Sequence, residues 1–307
     1  MSESINISVC IATFERPQGL RRLLESLTAF AVLPEPRIEI VVVDNSARAT
    51  ARATVDSMQS CLPRLRYFVE PVQNISHARN RAVTEASGDW VAFIDDDEVA
   101  GAGWLLAYWE SARAGTADGY FGPVLPRLEE RPPPWLRPEI FLTLSRPAHG
   151  VALGYEHMRT TNALIRRALF ATQRFDPAYG ITGGGDYELF GRMLDDGAVF
   201  RWCDGAESFE YYGANRLSLR WLLQRAFRGG NTYTIVDRRR HPRWTHQMTQ
   251  LAKALAGVLV YSLLVPFALL RGRSRAVVSL QRLCVQLGHL WAFSGQRYEE
   301  YRRASTR

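Results

Sequence analysis

Residues 87–98, SGDWVAFIDDDE, set the reading of the chain. Trp90–Ile94 is an unbroken apolar run that reads as a buried strand, and it delivers Asp95, Asp96, Asp97 and Glu98 to the edge of a sheet. Four successive carboxylates repel one another and are a costly way to end such a strand. A divalent cation offsets that repulsion. Ligands that are all oxygen select Mg²⁺ or Mn²⁺, ions that keep waters and bind one or two carboxylates together with phosphate oxygens. A solvated acidic turn is the plainer reading, but the apolar strand carrying the acids favours an ion site.

Working outward, the preceding residues alternate strand-like and helix-like patterns. Ile5–Thr13 (INISVCIAT) reads as a strand ending at Phe14-Glu15-Arg16. Pro17 opens a helix with Leu20, Leu23, Leu24 and Leu27 on one face. Ile38–Val43 is a second strand, ending in Asp44-Asn45-Ser46, and Leu65–Val69 is a weaker third. Ser76 is expected to cap a helix through Ala86, which carries Arg79 and Asn80. Strands separated by helices imply a mostly parallel sheet covered on both faces, with its ligand beyond the carboxyl ends of the strands. Glu15, Asp44 and the acids Asp95–Glu98 all fall there and are expected to line one crevice.

Beyond residue 125 the pattern loosens, and Pro132-Pro133-Pro134-Trp135 points to a surface loop over 126–150. Arg159–Ile165 and Val199–Cys203 read as strands. Between them, the glycine-rich loop Gly180–Gly185 leads into a helix from Asp186 to Leu194. Glycines let backbone approach a ligand closely, and a helix N-terminus stabilises a carboxylate, so Asp186 is a second candidate for chemistry; a plain helix cap is the alternative. Leu217–Phe227 reads as a helix stopped by Gly229-Gly230.

The tail is different in kind. Residues 254–270 (ALAGVLVYSLLVPFALL) are 17 without a charge, flanked by Arg238-Arg239-Arg240 and by Arg271, Arg273 and Arg275. Seventeen is the low end for a membrane-spanning helix, and basic clusters on both sides suit a hairpin dipping into one leaflet, with 276–293 as its second arm. A buried helix of a soluble domain is the competing reading. Residues 238–307 hold 13 Lys and Arg against Glu299 and Glu300, whereas 1–237 carry a net −4. Positive charge beside apolar sequence points to anionic lipid rather than to nucleic acid, which would want basic residues interleaved with exposed aromatics. Four widely spaced cysteines argue against a disulfide framework and a cysteine zinc site. The N-terminus lacks a basic region followed by an apolar core, so no signal peptide is expected and the N-terminal domain is placed in the cytoplasm. The expected division is an α/β domain over 1–235 and a basic, apolar helical region over 236–307.

Five segments in this order, ISVCIATFERPQGLRRLLESL (7–27), VVVDNS (41–46), NISHARNRAV (74–83), SGDWVAFIDDDE (87–98) and GGGDYEL (183–189), resemble family 2 inverting glycosyltransferases of the GT-A fold. LRWLLQRAFRGGNTY (219–233) is similar to the succinoglycan-type glucosyltransferases of bacterial exopolysaccharide assembly. The resemblance implies a nucleotide-sugar donor, UDP-glucose as the first choice, with Mn²⁺ or Mg²⁺ as cofactor. By position it assigns Thr13, Glu15 and Asp44 to the uracil and ribose, and Arg79 to the nucleotide. Asp95 and Asp97 become the outer acids of a D-x-D motif around Asp96, with Asp97 the direct metal ligand and Asp95 also nearer the ribose. Asp96 is grouped with the donor-binding residues. Asp186 becomes the catalytic base, although Gly185 stands where the family has a first acid, and Trp221, Arg225 and Arg228 fall beside the acceptor. With the basic, apolar tail it further implies a polyprenyl-diphosphate-linked acceptor and work at the cytoplasmic face of the inner membrane. A non-catalytic nucleotide-sugar binder or scaffold is the alternative, and it would keep the acids but need no base.

Overall fold

The computed structural model describes residues 6–137, 146–154 and 157–299. Two compact units emerge: Met1–Leu125, Leu144–Ile181 and Gly185–Tyr211 form the first, and Pro126–Thr143, Thr182–Gly184 and Tyr212–Arg307 the second.

The first unit is built on a seven-stranded sheet. In chain order its strands are β1 (Ile7–Thr13), β2 (Ile38–Asp44), β3 (Leu65–Val69), β4 (Trp90–Ile94), β6 (Gly119–Phe121), β8 (Asn162–Arg166) and β9 (Phe200–Trp202), and their spatial order is β3-β2-β1-β4-β8-β6-β9. Strands β1 to β4 are parallel, whereas β8 runs antiparallel to both β4 and β6. Register places Thr13 directly beside Asp44, so the two strands end together.

Alternation along the strands fills two cores. Ile7, Val9, Ile11, Ile40 and Val42 face α1 (Pro17–Ala31), which contributes Leu20, Leu23, Leu24, Leu27 and Phe30, all buried. Cys10, Val41 and Val43 face α3 (Ile75–Glu85) through Ala78, Ala82 and Val83. Burial on both sides explains why these strands read as continuous apolar runs. Two shorter strands, β5 (Glu98–Ala100) and β10 (Ser208–Tyr212), pair antiparallel beside the acid-rich turn.

Several expected boundaries shift. Helix α3 starts at Ile75, with Asn74 rather than Ser76 as its cap; the Asn74 side chain accepts from the backbone of Ser76 and His77. Within the expected 126–150 loop, the end of β7 (Val124–Leu128) is strand, and residues 138–145 lie outside the described residues. The strand expected over Arg159–Ile165 occupies Asn162–Arg166.

In the second unit, α6 (Leu219–Arg240), α7 (Trp244–Leu270) and α8 (Arg273–Phe293) pack together, with α8 against both others. Gly229-Gly230 does not stop α6, which continues through residues 235 and 236, where the two regions were expected to divide. Tertiary packing explains this: a Cβ on Gly230 would lie 2.1 Å from the Val285 carbonyl oxygen, and one on Gly288 would lie 2.0 Å from that of Phe227. The glycines let α6 and α8 cross in near-backbone contact, which outweighs their poor helix propensity of about 1 kcal/mol each. Helix α7 is long and apolar enough to cross a membrane and is almost wholly exposed, with Leu255, Leu259, Leu263, Phe267 and Leu270 all more than half open. The buried-helix reading of this segment fails on that exposure.

A buried acid ties the edge of the first sheet together. Glu39 accepts from Ser8 Oγ at 2.6 Å, Ser87 N at 2.6 Å and Arg66 Nη1 at 3.1 Å. Burial works to raise its pKa, but the Ser8, Ser87 and Arg66 donors outweigh burial and hold it below the usual value. A lowered folded pKa contributes stability above the unfolded pKa and loses it as pH falls through the folded one. Glu39→Gln should therefore cost about 1–3 kcal/mol in urea unfolding at pH 7. That deficit should shrink once the pH falls below the unfolded carboxyl value.

Candidate active site

The carboxyl ends of β1, β2 and β4 converge, and Thr13, Asp44 and the acids Asp95–Asp97 lie there. At the centre is the acid turn after β4. Asp96 points inward: it is 6% exposed, accepts from Thr13 Oγ1 at 2.7 Å and meets Arg16 Nη1 at 3.2 Å. Burial pushes its carboxyl up to about 7, Arg16 and Thr13 opposing and Asp97 and Asp95 adding. The same Arg16 nitrogen reaches Asp97 Oδ2 at 2.8 Å. Burial opposes the Arg16 charge, yet Asp96 and Asp97 outweigh it and raise its pKa. Arg16 is a site residue that sequence reasoning passed over, although its position in the loop after β1 was the available signal.

Asp95 and Asp97 keep 32% and 20% of their side chains open. Arg79, on α3, reaches Asp95 Oδ1 at 3.3 Å. Burial raises the Asp95 carboxyl; Arg79 lowers it, and Asp97, Glu210 and Asp186 raise it further. Asp186 lies in the first turn of α5 (Gly185–Asp195), after Gly183 and Gly184 at φ +80° and +89°, conformations that favour glycine. So acids from three separate stretches of sequence share one field. Glu210 was invisible beforehand, because nothing near Phe209-Glu210-Tyr211 marks it. Its place follows from β10, where Glu210 pairs with Glu98 and Tyr211 N–H donates to the Asp97 carbonyl. Glu98 itself leaves the crevice: it is 1% exposed and accepts from Ser208 Oγ. Burial holds its carboxyl well above the usual range.

The β2 end is organised differently. Asp44 is fully buried, with Oδ1 accepting from Ser46 N and Oδ2 from Ala51 N and Tyr67 Oη. Thr13, Asp44 and Asp96 thus have their polar atoms engaged within the protein, shaping the loops. Glu15, at φ +52°, pairs with Arg48 at the rim. Asn45 Oδ1 accepts from Asn74 N, and Asn74 Nδ2 donates to Pro177 O, which ties α3 to the segment leading to Asp186. Asn80 faces neither water nor crevice: it exchanges two hydrogen bonds with the backbone of Phe175. Trp221, Arg225 and Arg228 belong to the second unit, on α6, where Arg225 stacks on Trp221 and donates to Tyr212 Oη.

Among the described residues no three His, Cys, Asp or Glu side chains are arranged to hold a metal. Mg²⁺ and Mn²⁺ need fewer, one or two carboxylates with substrate phosphates completing the shell. The mutual repulsion felt at Asp95 and the all-oxygen donors fit such an ion.

The sequence matches Glycosyl transferase family 2 over residues 8–174. It is 36% identical over 237 residues to the succinoglycan biosynthesis protein ExoM of Rhizobium meliloti, covering 76% of this chain and 75% of that one. The chain belongs to glycosyltransferase family 2. A Campylobacter jejuni GalNAc(5)-diNAcBac-PP-undecaprenol beta-1,3-glucosyltransferase is 27% identical over 113 residues, about a third of either protein. Among solved structures, S. aureus TarS 1-349 in complex with UDP superposes with a TM-score of 0.55 at 14% identity, over 96% of this chain and 93% of that one. The enzyme's sheet, helices and acid turn are thus those of a GT-A-like α/β fold, as the sequence motifs imply.

Close packing holds the acid turn in place. A Cβ on Gly19 would lie 2.4 Å from the Asp96 carbonyl oxygen, so only glycine lets α1 approach this closely. Gly19→Ala should leave the circular dichroism spectrum intact but cut sugar transfer by about 10²-fold, the usual cost of displacing a site by an ångström.

Proposed function

We propose that this enzyme is an inverting, divalent-metal-dependent hexosyltransferase. In this reading it moves a sugar, glucose from UDP-glucose foremost, to a lipid-linked saccharide in exopolysaccharide-type assembly. The observation that carries the reading is the shared field of Asp95, Asp97 and Asp186 at the carboxyl ends of the strands. Support for the donor comes from TarS, solved with UDP and with UDP-GlcNAc. Support for the acceptor class comes from the undecaprenol-linked saccharide in the name of the Campylobacter relative. The exposed apolar length of α7, flanked by arginines, supports placement at a membrane, and we assign the cytoplasmic face.

In this scheme Asp97 and Asp95 hold Mn²⁺ or Mg²⁺. Bound there, the ion supplies charge neutralisation for a departing nucleoside diphosphate. Asp95 and Arg79 position the nucleotide, with Thr13, Glu15, Asp44 and Asp96 shaping the pocket for uracil and ribose. Asp186 takes the proton from the acceptor hydroxyl as that oxygen attacks the anomeric carbon from the opposite face. One displacement with one base inverts the anomeric configuration and needs no covalent intermediate. Trp221, Arg225 and Arg228 are assigned to the acceptor side.

Asp186→Asn keeps the shape of the side chain and removes its basicity, so transfer should fall by about 10²–10⁴-fold while UDP-sugar binding is retained. EDTA should stop the native enzyme, and Mn²⁺ or Mg²⁺ should restore it. Tight, metal-dependent donor binding with no turnover in either protein would favour a non-catalytic binder instead.

A further inference from the structure

The helical unit contains a cavity lined by none of the residues assigned to sugar transfer. It measures about 490 Å³ and lies among α6, α7 and α8, lined by Tyr233, Thr234, Asp237, Lys253, Gln286 and His289 among others. That volume lies in the range of small-molecule sites. Most of its polar lining is already satisfied: Asp237 is bound by His246 at 2.8 Å, and Thr234 Oγ1 meets His289 Nδ1 at 2.7 Å.

Lys253 and Gln286 are the exceptions: neither side chain makes a hydrogen bond or ion pair with the described residues, and the charged one of the two is Lys253. It is also the one lysine among the 38 Lys and Arg residues of the chain. A chain that uses arginine everywhere else keeps, at this rim, a compact point charge of the kind that binds phosphate without fork geometry. The cavity's acid, Asp237, is hydrogen-bonded to His246 rather than to Lys253.

The helix bearing Lys253 says what carries the phosphate. Val260, Leu264 and Phe267 follow at helical spacing on the same side of α7, and all three are exposed apolar side chains. This cavity, whose lining is more apolar than polar, thus carries an exposed cation at its rim on the side where α7 presents an apolar stripe. We propose that this cavity takes the phosphate group of a membrane amphiphile, with the ammonium of Lys253 on the phosphate and the hydrocarbon chain along α7. The lining lies wholly within the second unit, and the proposal stands whether or not sugar transfer is as proposed above.

The lone lysine makes the test specific. Full-length protein is acetylated with an N-hydroxysuccinimide ester, and Lys253 is followed by peptide mass, with the N-terminal amine as internal reference. Four arms are compared: buffer, inorganic phosphate, dodecyl maltoside micelles, and vesicles of phosphatidylcholine with one-fifth phosphatidylglycerol. The expected result is a slowing of Lys253 acetylation by about fivefold or more in the vesicle arm alone, the factor one cation gains at a lipid phosphate. Equal slowing in micelles would mean apolar coverage only. Equal slowing by inorganic phosphate would mean an anion site without a lipid, and no slowing anywhere would mean no site; each of these overturns the proposal.

A Cβ on Gly229, which also lines the cavity, meets nothing within 4 Å, so Gly229→Trp fills the space. It should abolish the vesicle protection while the protein still sediments with vesicles. Protection that persists with the cavity filled would likewise contradict the proposal.

Discussion

Like-charge repulsion at the end of β4 is the constraint around which the first unit is arranged. Asp95, Asp96 and Asp97 cannot all be solvated, because the strand that carries them is buried on both faces. The fold separates their fates. Asp96 turns inward and is held by Thr13 and Arg16; Asp95 and Asp97 stay partly open, with Arg79 and Arg16 beside them. The tight approach of α1 through Gly19 and the bond from Tyr211 to the Asp97 carbonyl fix the backbone of the turn. The residual repulsion at Asp95 is what a cation would relieve.

Much of this was legible from local pattern. The runs at Ile7–Thr13, Ile38–Asp44 and Trp90–Ile94 are apolar because both sheet faces are covered, and each gives way to polar residues at the carboxyl edge of the sheet. The leucine spacing after Pro17 matched the buried face of α1, because helix period and core contact coincide there. The family membership confirmed for the chain accounts for the order of the motifs.

What escaped the sequence depends on partners distant in the chain. Gly229-Gly230 reads as a helix stop until Val285 is placed beside it, 55 residues on. Glu98 looks like a fourth member of the acid run, but pairing with β10 withdraws it against Ser208. Glu210 enters the field of Asp95 through that same pairing, and no local signal announces it. Asn74, rather than Ser76, caps the helix, and its amide also bonds Pro177, about a hundred residues away. Local rules found the strands and the acids, and long-range contacts decided which acids face the crevice.

As proposed, the acid turn holds a divalent cation against the diphosphate of a nucleotide sugar. Anomalous scattering from Mn²⁺ in crystals grown with UDP tests it most directly. One strong peak is expected within ligand distance of an Asp97 or Asp95 carboxylate oxygen and of the diphosphate. Bound nucleotide with no peak at the turn, and with Arg16 still bridging Asp96 and Asp97, would contradict it.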